Sequence, residues 1–123
     1  MTYQPKPNLL KEKSYAFALR AVKASRYIAA EHRDFVLSKQ FMRSGTSIGA
    51  NIEEAFQGAS HADFVNKLTI ANKEAFETHY WLRLIRDSGL LTESQANDLI
   101  KDCNELQRML VAAIKTSKAK QAA

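Results

Sequence analysis

An all-α fold, an antiparallel up-down-up-down four-helix bundle, is predicted by three observations on this chain of 123 residues. Apolar residues recur at spacings of three and four over four long stretches, and no stretch alternates with the period of two that strands require. Helix breakers are scarce: Pro5 and Pro7 both precede the first periodic stretch, and glycine occurs only at 45, 49, 58 and 89. The connections are short, which makes consecutive helices antiparallel neighbours.

The elements follow in order. Residues 1–8 read as a flexible lead, with Asn8 placed to cap a first helix over 9–31. Its inward face is Leu10, Phe17, Ala21, Ala24 and Ile28. His32 to Phe35 is polar and reads as the connection. A second helix over 36–57 turns Phe41, Ile48, Ile52 and Ala55 inward, with Gly58 as its expected C-cap. Ser60, with Asp63 three residues on, opens a third helix over 61–88. Its stripe is Phe64, Leu68, Ala71, Ala75, Thr78, Leu82 and Ile85, and Gly89 stops it. Thr92 with Gln95 forms a second capping box, for a fourth helix over 93–117 that presents Ala96, Leu99, Ile100, Cys103, Leu110 and Ile114. Residues 118–123 read as a disordered polar tail.

Composition excludes several classes. An apolar content of 46% with 25% charged residues is ordinary for one globular domain of this length. No apolar run is long enough to span a bilayer and no secretory core is visible, so cytoplasmic residence without a membrane partner is expected. Cys103 has no partner for a disulfide and reads as a small core residue. The residues three before His32, His61 and His79 are Ala29, Gly58 and Phe76, so the Glu-x-x-His pairs of a di-iron bundle are missing. No glycine-rich phosphate loop occurs. Ser44 and Ser47 have no histidine nearby to activate them, and Glu53 and Glu54 point about 100° apart on a helix. No catalytic residue, cofactor or metal is expected, and the chain reads as a non-enzyme.

Three surface patterns remain. Ser44, Ser47, Asn51 and Glu54 recur along the second helix, where Gly45 and Gly49 signal close backbone approach. This stripe is expected to form a polar network with Glu74 of the third helix. The third helix carries a second apolar side, Ile70, Tyr80, Trp81 and Leu84, with Phe76 and His79 beside it. A helix apolar on both sides is buried on both sides, so these residues are expected at a subunit interface. Lys101, Arg108 and Lys115 lie seven apart on the fourth helix, and Lys13 and Arg20 do the same on the first. With a net charge of +5, these are the candidate contacts for RNA or DNA, although no run of residues forms a stacking platform.

The run from Arg43 to Ala55, Arg-Ser-Gly-Thr-Ser-Ile-Gly-Ala-Asn-Ile-Glu-Glu-Ala, resembles the signature of the four-helix-bundle proteins of the bacterial 23S rRNA intervening-sequence family. So do Asp63-Phe64, the run from Leu68 to Ala75, Leu82, and the closing Asp87-Ser-Gly-Leu-Leu91. The likeness covers about Leu10 to Lys115, and Gly49 stands where the family often has proline. It implies a closed ring, typically a homopentamer, with no known enzyme activity. The family is similar in turn to the accessory variability determinant of diversity-generating retroelements, a basic pentameric bundle that binds a reverse transcriptase and nucleic acid.

The expected function is therefore a ring-forming scaffold or adaptor that binds nucleic acid or a nucleic-acid enzyme through basic surfaces. The alternative is a protein-interaction module with no nucleic-acid role.

Overall fold

A computed structural model describes residues 8–122 as four helices: α1 Leu9–His32, α2 Val36–Ala55, α3 His61–Asp87 and α4 Glu93–Ala122. The lead predicted at 1–7, and residue 123 of the predicted tail, lie outside the described residues.

Local chemistry sets each boundary. Asn8 is extended and its Oδ1 accepts from the Lys11 amide at 3.1 Å, satisfying one orphan donor of α1. α1 ends at Arg33, a non-glycine residue in the left-handed region at φ 51°. Asp34 starts α2: its Oδ1 accepts from the Leu37 amide at 2.8 Å. α3 opens on the Ser60 hydroxyl, which accepts from the Asp63 amide at 3.1 Å. It closes in a Schellman motif, with Leu90 N–H to Ile85 O at 3.0 Å and Gly89 N–H to Arg86 O at 3.2 Å. Both halves of the Thr92–Gln95 box form at 3.1 Å.

Two expected boundaries change. α2 stops at Ala55, and Gly58 is not a left-handed cap, since among the described glycines only Gly89 has a positive φ. Gly58 is needed for space: an added Cβ would lie 3.1 Å from the Ala55 carbonyl and 3.4 Å from the Asp63 Cβ. The segment 118–122 is helical rather than a disordered tail. Lysine and alanine there are good helix formers, and the His61 ring holds the Ser117 carbonyl at 2.8 Å just before it.

Cross-helix contacts run antiparallel around the bundle: α1 meets α2 and α4, and α3 meets the same two, while neither diagonal pair approaches closely among the described residues. Phe17, Ile28, Phe41, Ile48, Ile52, Leu68, Leu82, Ile85, Leu106 and Leu110 fill the centre. Each buried side chain of this size contributes about 1.5–3 kcal/mol, against about 0–1 for an exposed ion pair, so the core rather than the surface charges holds the bundle. Leu106 and Val65 belong to this core although the sequence reading left them out.

Candidate functional site

The polar stripe of α2 does not form the expected network. Ser44 is fully buried, and the Thr78 hydroxyl donates to it at 2.9 Å. Asn51 turns back on its own helix, donating to the Ser47 carbonyl at 2.8 Å. Glu54 pairs with Lys67 at 2.9 Å, and Glu74 accepts from Arg43 at 3.3 Å. Buried Ser47 Oγ and Asn72 Oδ1 have no partner among the described residues. The stripe therefore divides into separate contacts: Ser44 and Glu54 meet residues that the register of α3 sets beside them, while Asn51 bonds within its own helix.

The second face of α3 also divides. Trp81 packs against the core and its indole N–H donates to Glu77 at 3.2 Å, so it closes the edge of the bundle beside α2. A hydrogen bond from Arg43 holds the Glu77 carboxyl below its ordinary range. Ile70 is half-buried. Tyr80 and Leu84 are exposed, as is Phe76, and the three recur at a spacing of four along one stripe. Tyr80 meets Trp81 edge-on at 5.2 Å and carries the Arg83 guanidinium over its ring at 5.7 Å. Burial, then the nearby Arg83 and Arg86, hold the His79 ring below the usual histidine value.

The two basic stripes have different fates. Lys13 donates to Glu105 at 2.5 Å, and Arg20 reaches across to both Asp98 and Asp102. The hydrogen bond with Glu105 raises the Lys13 pKa and lowers that of Glu105. These α1 cations stitch α1 to α4, so each already has a carboxylate partner where the sequence offered them as open contacts for a polyanion. An open groove of about 860 Å³ lies beside the stitch, lined by Arg20, Lys23, Tyr27, Asp98 and Lys101 among others. Lys101, Arg108 and Lys115 of α4 are exposed and enter no ion pair among the described residues.

Packing of α3 on α4 creates a further feature that the sequence did not reveal. Phe76 comes beside Asn104, Gln107, Arg108, Val111 and Ala112, around a shallow cleft of about 420 Å³. No local signal could have found it, since its walls are 28 or more residues apart in sequence. Cys103 is buried, lies 3.3 Å from the Ala75 carbonyl, and burial pushes its thiol up to about 12. Among the described residues, no three His, Cys, Asp or Glu side chains gather to hold a metal ion, and no helix is long and apolar enough to cross a membrane.

These features define an antiparallel four-helix bundle whose distinctive chemistry lies on its lateral surface. The chain belongs to the family described as 23S rRNA-intervening sequence protein, whose sequence profile matches residues 7–112. It is similar to a protein of unknown function from the S23 ribosomal protein family of Bacteroides thetaiotaomicron VPI-5482, with 48% identity and a TM-score of 0.86. That match covers 87% of this chain and 99% of the other. Among curated proteins nothing matches the chain.

Proposed function

We propose that this chain is a non-enzymatic cytoplasmic scaffold that self-associates through α3 and binds nucleic acid, or an enzyme working on it, along α4. The observation that carries this reading is the contrast between the two basic stripes. Lys13 and Arg20 are paired with Glu105, Asp98 and Asp102, while Lys101, Arg108 and Lys115 are exposed on one face of α4 with no ion pair among the described residues. Repeated around an oligomer, such a stripe becomes a multivalent surface for phosphates. The exposed Tyr80 and Leu84 support self-association, and the family resemblance implies a ring of about five subunits. Those same side chains also favour the second reading, a purely protein-binding module.

RNA binding measured against salt separates the two readings. Replacing Lys101, Arg108 and Lys115 together by glutamine is expected to weaken binding and to flatten the slope of log affinity against log salt by about two to three. Replacing Lys13 by glutamine should leave that slope unchanged. Equal slopes for the wild-type protein and the α4 triple variant would remove the stripe from the function. Light scattering tests assembly: a mass several times 13.9 kDa that falls in Tyr80→Glu/Leu84→Glu supports the oligomer, and a wild-type monomer sinks it.

A further inference from the structure

We propose that the cleft between α3 and α4 seats one unstacked nucleobase on Phe76, which makes the ligand class single-stranded rather than duplex nucleic acid. This rests on the nucleic-acid reading above and adds to it the part of the ligand that is not phosphate.

Phe76 is 62% exposed, a large apolar area to leave in water. Among the described residues it pairs with no other ring, whereas Tyr80 has Trp81 at its edge and Arg83 over its face. Phe76 is therefore the more open of the two exposed rings on this stripe, against 48% for Tyr80. Val111, half exposed, and Ala112 extend the apolar floor on α4. Asn104 and Gln107 line the same cleft, and each amide offers donors and an acceptor of the kind that pair with base edges.

Charge complementarity decides the occupant. Arg108 lines the cleft, and Lys101 and Lys115 stand seven residues to either side, about 10 Å along the helix at 1.5 Å per residue. Among the described residues no carboxylate lines the cleft. Glu105, which feels both Arg108 and Lys101, is hydrogen-bonded by Lys13 on the α1 side. An aromatic face with cations along its flank is the arrangement on which single strands stack while their phosphates follow the positive groove. A duplex keeps its base faces stacked internally and can offer this cleft only phosphates and groove edges.

Fluorescence anisotropy with three labelled RNA probes tests the seat at one low salt concentration. They are a single strand of about ten nucleotides, an abasic strand of equal length, and the duplex form. The full chain is expected to bind the natural strand about tenfold or more tighter than the abasic strand, in line with the usual worth of one stacked base. Phe76→Leu, which keeps apolar bulk, should lose that preference while its abasic affinity stays unchanged. Equal binding of natural and abasic strands by the wild-type protein, or a preference that survives in Phe76→Leu, overturns the base seat and leaves the phosphate stripe standing. Failure of every strand to bind overturns both proposals. A Phe76→Leu protein whose solution mass falls, with base preference intact, would assign the cleft to a second copy of this chain instead.

Discussion

A methyl group added to Gly45 would lie 2.9 Å from the Cβ of Ala21, a non-bonded contact so short that something must shift. Ala21 is fully buried and its Cβ moves only with the backbone of α1. Gly49 repeats the arrangement one turn on, where an added Cβ would sit 3.3 Å from the Ser14 carbonyl. The two glycines therefore set the distance between α1 and α2. This is the close backbone approach that two glycines inside a helix imply.

The first prediction follows from that contact. Gly45→Ala gains about 1 kcal/mol of helix propensity but overpacks the seam at a cost of about 1–3 kcal/mol. Net destabilisation of about 1 kcal/mol is expected in urea melts. Adding Ala21→Gly to the same chain should return it close to the wild-type value, because the methyl group has only changed sides. A stabilised single variant would show that the seam is loose.

Gly89 serves a different need. It sits at φ 80° with nothing within 4 Å of an added Cβ, so its requirement is conformational rather than spatial. Gly89→Ala is expected to cost about 1–2 kcal/mol through backbone strain alone. Gly89→Asn should recover part of that loss, since asparagine tolerates the left-handed region better. Equal melting temperatures for the alanine and asparagine variants would argue against this account.

Cys103 makes a prediction about pH. Its thiol is raised from 9.0 to about 12 by burial, so the folded chain holds this proton more tightly than the unfolded one. The associated stability is fully present below pH 9 and is lost as pH rises towards about 12, up to about 4 kcal/mol in all. Cys103→Ala should lose less stability than the wild-type protein between pH 9 and 11. A thiol reagent at pH 8 should label the native chain only as fast as it opens. Rapid labelling without unfolding would place the thiol outside the core.

Much of the fold was legible because its signals are local. Asn8, Ser60 and the Thr92–Gln95 box cap helices through atoms within three residues, which spacing alone predicts. The inward stripes were legible for the same reason, since helical period decides which residues share a face. Gly58 was misread because glycine answers two requirements, a positive φ and a lack of room, and the sequence does not distinguish them. Arg33 fills the left-handed cap of α1 without the glycine that would have announced it.

The surface followed another rule. Whether a lysine is free depends on which helix passes beside it and at what height. Lys13 and Lys101 look alike in sequence, yet Lys13 is paired with Glu105, 92 residues away, and Lys101 is exposed with no ion pair among the described residues. Ser44 received Thr78 rather than Glu74 because the register of α2 on α3 put a hydroxyl there.

By itself the sequence determined four amphipathic helices, the N-terminal caps at Asn8, Ser60 and Thr92, and the stripes that turn inward, all set by interactions or periodicity within a turn or two of chain. Only the tertiary structure decided which charges remain free and that Phe76 shares a cleft with Arg108. Those outcomes depend on helix register and spacing, which emerge when whole side-chain faces pack against one another.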